Sequence, residues 1–168
     1  MPEAGQVYRL PAASWALELP GEAVRKLQSH AQRHWWAKES VGHLYSEDLT
    51  KAVVRVDAVT KLPTKSSSYM GLRLNVPAVD AERTAFFNRG LHCLGFWHSH
   101  PEPMPTPSSA DVAMAADHAR AGLASFAGML FVIVGTAPPP TGLGVWVHDG
   151  ETLWRADAIP SERLWTGQ

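Results

Sequence analysis

Two histidines and an aspartate stand where they could hold a metal ion. His98, Ser99 and His100 are followed by seven residues and then by Ser108, Ser109, Ala110 and Asp111. On a strand, side chains i and i+2 share a face, so His98 and His100 point the same way, about 7 Å apart at Cα. The seven intervening residues include four prolines. That composition makes a stiff, non-helical loop which returns the chain and sets Asp111 in the first turn of a helix. Two neutral imidazoles and one carboxylate form a zinc site with three protein ligands. Catalytic zinc sites have this form because the fourth position stays open for water. Such a site keeps a charge of about +1, and the pKa of its water falls from about 15.7 towards about 7.

Each part also has a plain structural reading. Two histidines at i and i+2 occur at strand ends without any metal. Ser108-x-x-Asp111 is also a capping box, with Ser108 as N-cap and Asp111 at N3. Pro101 can simply stop the strand. Glu39 beside Lys38 reads as a solvated charge, and His43, which shares strand parity with Glu39, reads as a bystander or a substrate contact. Cys93, between Leu91 and Leu94, reads as a core thiol. Trp97 should face the core, opposite His98. Trp35, Trp36 and the phenylalanines read as core residues.

The elements that must position these groups follow from periodicity. Residues 1–20 carry three prolines and no clear period, and read as an irregular lead-in to a single domain over 21–168. Gly21 to His34 reads as a helix, with Ala23, Leu27 and Ala31 on one stripe. Lys38 to Tyr45 and residues 51–60 read as strands. Residues 62–69 read as a loop and Tyr69 to Val76 as a possible short strand. A helix over 78–89 follows, with Pro77 in its first turn and Gly90 at its C-terminal end. Residues 91–100 form a buried strand, Ser108 to Leu123 a helix, and 128–136 another buried strand. Residues 143–150 alternate as a strand, and Glu151 to Ala156 can pair back across the Asp149-Gly150 turn. This order predicts an α/β fold with a mixed sheet flanked by helices.

Composition limits the function classes. The chain has 168 residues, 45% of them apolar and 18% charged. A chain of that length buries roughly 70% of its unfolded surface and needs no disulfide or metal to hold a core. Fifteen Lys and Arg against sixteen Asp and Glu give a net charge of −1, so charge gives no reason to propose a nucleic acid or an anionic membrane as partner. The single cysteine excludes an internal disulfide and a multi-cysteine zinc site. No basic start with an apolar stretch marks a secretory signal, and no run approaches a membrane span, so the expected location is the cytoplasm. There is no H-E-x-x-H and no G-x-S-x-G nucleophile elbow. Gly142-Leu143-Gly144 precedes a strand and is no dinucleotide site.

H-x-H-x(7)-S-x-x-D resembles the signature of the JAMM (also called JAB or MPN+) zinc metalloprotease family. The family pattern also has an upstream E-x-x-G-x-L-x-G. Here Glu39, Gly42 and Leu44 fall in place, and Ser46 stands where the last glycine would be. The likeness covers about residues 21–156. It implies a three-layer α/β fold with a mixed, curved sheet, of the architecture shared with cytidine deaminases. It implies zinc ligands His98, His100 and Asp111, with Glu39 as general acid/base and Ser108 stabilising the tetrahedral intermediate. It further implies cleavage after the C-terminal Gly of a ubiquitin-like protein, whose extended tail could add as a strand beside the cleft. The near-minimal length resembles stand-alone prokaryotic members, which act on ubiquitin-like or sulfur-carrier proteins. Release of cysteine or another small adduct from a sulfur-carrier C-terminus is a narrower alternative, since both reactions cut a Gly-X amide. Relatives without the ligands serve as metal-free interaction scaffolds, but here every ligand is present.

Overall fold

A computed structural model of the chain describes residues 4–63, 76–122 and 128–160. In chain order its elements are β1 (Gln6–Arg9), β2 (Ala16–Leu19), α1 (Gly21–Ser29), β3 (Val41–Ser46), β4 (Val53–Arg55), β5 (Ala58–Val59), α2 (Val76–Phe87), β6 (His92–Ser99), α3 (Ser109–Gly122), β7 (Met129–Val134), β8 (Leu143–His148), β9 (Leu153–Arg155) and β10 (Asp157–Ile159). The strands make two mixed sheets. The larger runs β5-β3-β6-β7-β8-β9 and the smaller β10-β1-β2-β4. In the larger sheet only β6 and β7 run parallel.

The most apolar run takes the most enclosed place. All six residues of β7, MLFVIV, are buried, as expected of a strand covered on both faces. On one face of the larger sheet, Leu44, Trp97, Leu130, Val132 and Val145 pack with Val24 and Leu27 of α1 and with Tyr8, Leu17, Leu19 and Val54 of the smaller sheet. On the other face Phe96, Phe131, Ile133 and Trp146 pack with Ala119 of α3, and Val41 packs with Val79 of α2. Three layers result: the smaller sheet with α1, the larger sheet, and α2 with α3.

Strand β6 does not alternate evenly. Leu44 pairs with Gly95 and Tyr45 with Cys93, so Leu94 is an extra residue opposite β3. This bulge turns Leu94 to the same core as Trp97, three positions on. Gly95 takes φ +151° there, and a side chain would collide with the Leu130 carbonyl. Beyond the bulge the alternation is regular. Trp97 enters the core, as predicted, and His98 faces α3's side beside Phe131, with ring centroids 5.0 Å apart.

Several expectations need correction. Residues 1–20 are not an irregular lead-in. They supply β1 and β2, whose four-residue strands between prolines are too short to show a period. The segment 51–60 is not one strand. It divides at Val56-Asp57, with β4 joining the smaller sheet beside β2 and β5 the larger beside β3. A single sheet therefore becomes two. The first helix stops at Ser29 rather than His34. His30 leaves it to stack on Trp97 at 5.1 Å, and the amide nitrogens of His30 and Ala31 bond back only three residues, to Leu27 and Gln28. Strand β3 begins at Val41, so Glu39 precedes it. Trp35 and Trp36 are 93% and 63% exposed, not core. Cys93 is half-buried. Residues 69–75 of the expected short strand and most of the loop 62–69 lie outside the described residues, and Val76 belongs to α2.

Gly42 faces Trp97 across the β3–β6 ladder. The Trp97 indole donates to the Thr60 carbonyl at 2.7 Å. A Cβ at Gly42 would collide with that carbonyl oxygen and stand 2.5 Å from Trp97 Nε1. Gly42→Ala is expected to destabilise the fold by about 1–3 kcal/mol or more, through overpacking against backbone that cannot retreat. Urea denaturation measures this, and an unchanged midpoint would refute it.

Candidate metal centre

The antiparallel pairing of β3 with β6 sets the start of one strand beside the end of the other. Val41 pairs with His98. One residue further, the Ser40 amide donates to Ser99 Oγ at 2.9 Å and the Ser99 amide donates to the Ser40 carbonyl at 3.0 Å. Both serines are buried. This reciprocal pair carries the ladder past the strand end and brings Glu39 beside the two histidines. The His100 amide bonds the Val134 carbonyl at 2.9 Å. The chain thus stays extended through His100, and both imidazoles point to one side.

His98 Nε2 and His100 Nε2 are 2.7 Å apart. Asp111 presents one oxygen to each, Oδ1 at 3.3 Å from His98 and Oδ2 at 3.4 Å from His100. Glu39 Oε1 is 4.0 Å from His98 Nε2. Donor atoms of Glu39, His98 and His100 all lie within 4.8 Å of one another, close enough to bind one metal ion. Tetrahedral zinc with arms near 2.1 Å spaces its donors by about 3.4 Å. The Asp111 contacts fit that spacing and the histidine pair is tighter. Glu39 Oε2 is buried with no hydrogen-bond partner.

Asp111 serves a second purpose. The Ser108 amide donates to Asp111 Oδ2 at 2.7 Å and the Asp111 amide donates to Ser108 Oγ at 3.1 Å. The capping box is therefore complete, and it presents the same carboxylate to the imidazoles. Ser108 Oγ accepts in this bond, so its own hydrogen is not used by it.

Burial and charge act together here. Burial pushes the Glu39 carboxyl up to about 7, with His100 opposing and Asp111 adding to the rise. Burial holds the His98 imidazole below its ordinary value, against Asp111, which suits a neutral ligand nitrogen. Burial also disfavours charge on His100, but Asp111, Glu102 and Glu39 outweigh it and raise its pKa. Burial alone would raise Asp111, but the hydrogen bonds from His100 and His98 hold it well below the carboxylate range.

Two features escaped the sequence reading. Glu102 Oε2 lies 3.2 Å from His100 Nδ1. The contact is an ion-pair approach rather than an aligned hydrogen bond, and a carboxylate there favours a proton on Nδ1, with Nε2 as the ligating nitrogen. The signal was its position two residues after His100, masked by the prolines on either side. The Ser40–Ser99 pair is visible only once the strands are in register. His43 is completely buried and sits 2.9 Å from Glu82 Oε1 through Nδ1. The hydroxyls of Tyr45 and Thr60 also donate to that oxygen. His43 thus ties β3 to α2 and offers no surface to a substrate.

This scaffold matches a family model described as prokaryotic homologs of the JAB domain, over residues 21–149. The chain belongs to that family. A solution structure of a Desulfitobacterium hafniense protein is similar at TM-score 0.58 and 20% identity, covering 84% of this chain and 88% of that one. A Salinibacter ruber protein is similar at TM-score 0.55 and 23% identity, covering 85% and 91%. At those identities the likeness is one of fold. No curated protein matches the chain. Among the described residues no helix is long and apolar enough to cross a membrane.

Removing the Glu102 carboxylate is expected to weaken metal binding roughly 10–100-fold, the usual effect of losing a ligand's outer partner. Competition with a chromogenic chelator, comparing wild type, Glu102→Ala and Glu102→Gln, checks this. Equal affinities would show that Glu102 does not orient His100.

Proposed function

We propose that this chain is a zinc-dependent peptidase or isopeptidase that cleaves after the C-terminal Gly of a ubiquitin-like or sulfur-carrier protein. The observation that carries the reading is one carboxylate, Glu39, fixed by the Ser40–Ser99 pair beside the His98, His100 and Asp111 cluster. His98, His100 and Asp111 would hold the metal. Asp111 suits the third ligand because it touches both imidazoles, while Glu39 stands farther off. The chemistry zinc supplies when bound is Lewis acidity towards the scissile carbonyl and an attacking water.

The chain's own residues do the rest. Glu39 takes a proton from the attacking water and later gives it to the leaving nitrogen. Burial raises the Glu39 pKa, which favours its taking up the proton it later passes on. The hydroxyl hydrogen of Ser108 donates to the oxyanion that develops on the carbonyl oxygen. The nearby Glu102 carboxylate favours the His100 tautomer with its proton on Nδ1.

Two substitutions separate these roles. Glu39→Gln is expected to retain zinc and lose about 10²–10⁴-fold in cleavage, the range for removing a general acid/base. Asp111→Asn is expected to lose zinc. Intact-mass analysis of a Gly-terminated ubiquitin-like protein linked to a second chain reads the cut, and metal analysis reads the occupancy. Cleavage by Glu39→Gln at the wild-type rate would sink the assignment.

A further inference from the structure

We infer that the pocket beside Glu39 receives the leaving-group side of the cleaved amide and selects a leaving group that carries a carboxylate. This rests on the peptidase reading above. The pocket has a volume of about 560 Å³ and is walled by Gln32, Arg33, Trp35, Lys38, Glu39 and Pro101, among others. It opens where α1 ends early and the chain turns towards β3.

Three observations set its chemistry. Glu39 forms part of the wall. A general acid must reach the nitrogen it protonates, so the substituent on that nitrogen starts at this wall. The pocket's other ionised walls are cationic. Arg33 and Lys38 are exposed there, and among the described residues Glu39 is the one carboxylate in the lining. Arg33 Nη1 donates to the Gln28 carbonyl at 3.1 Å, which steadies the guanidinium while its remaining N–H groups stay available. Finally, Gln32 is only 9% exposed, and its Oε1 has no partner. Its Nε2 donates to the Ala37 carbonyl at 3.2 Å, which fixes the amide orientation and commits Oε1 to accepting. That oxygen is itself closed off from solvent, so the amide braces the pocket wall rather than meeting the occupant. Two cations and a flat indole on a wall that begins at Glu39 suit an amino acid or short peptide segment ending in, or bearing, a carboxylate.

The reaction balances as a hydrolysis. The C–N bond breaks, the water oxygen joins the glycyl carbonyl carbon, and a water proton reaches the leaving nitrogen through Glu39. The second water proton also ends on that nitrogen, so the products are a glycine carboxylate and an ammonium group whose own carboxylate lies against Arg33 and Lys38.

The zinc-loaded protein is given four labelled peptides, followed by mass spectrometry. Two end in Gly-Gly-Ala-Ala, as free acid and as amide. Two end in Gly-Gly-Ala-Asp-amide and Gly-Gly-Ala-Asn-amide. The expected result is kcat/KM at least about tenfold higher for the carboxylate-bearing member of one or both pairs, from a charge-assisted contact. The first pair reports a terminal carboxylate and the second an acidic side chain. In the double variant Arg33→Gln, Lys38→Gln the acid-to-neutral ratio should fall to about one. Equal rates within both pairs for wild type, or a ratio that survives in the double variant, would overturn the inference. If no peptide is cut, the peptidase reading fails on these substrates and the pocket is judged separately. Alanylalanine should then shift the Trp35 indole resonance saturably in wild type, with alanylalaninamide and the double variant giving none. Absence of that shift would overturn the pocket as well.

Discussion

The Ser40–Ser99 pair is the constraint on which the site depends. Glu39 and His98 are 59 residues apart in sequence, and their neighbours meet through two hydrogen bonds in a buried setting. A buried backbone amide without a partner costs about 1–3 kcal/mol, so the chain has reason to extend the ladder one step past Val41 and His98. That step places a carboxylate from outside the strand beside imidazoles at its far end. Side-chain flexibility alone would not hold it there.

Strand β6 has to serve two incompatible environments. Trp97 needs a dry core, and His98 needs a polar neighbour. Alternation supplies this at the C-terminal end, while the bulge at Gly95 re-aims the N-terminal end so that Leu94 also meets the core. The parallel neighbour β7 walls the other side with apolar residues. Burial in that setting raises the Glu39 pKa and lowers that of His98. For Glu39 and His98 the packing of the sheet is the largest cause, while the charges around them set His100 and Asp111.

The clustering of His98, His100 and Asp111 was readable because its rules are local. Strand parity joins His98 to His100, and the capping box joins Ser108 to Asp111. Elements that depend on distant partners were not readable. β1, β2 and β10 are short and become strands by pairing with one another. Asp57 falls between two sheets that periodicity cannot distinguish. Trp35 and Trp36 are apolar by type, yet α1 ends before them because the stack of His30 on Trp97 redirects the chain. The family match over 21–149 leaves β1, β2 and β10 outside it, so three strands of the smaller sheet lie beyond the matched span.

The double employment of Asp111 has a thermodynamic consequence. One carboxylate both closes the first turn of α3 and faces the imidazole pair. Anything gripped by those imidazoles and that carboxylate also tightens the helix start, and fraying of the helix start loosens the grip. By linkage the two equilibria are reciprocal. Occupancy of the centre and order at the head of α3 should rise and fall together, and no replacement at this position can tune one without taxing the other.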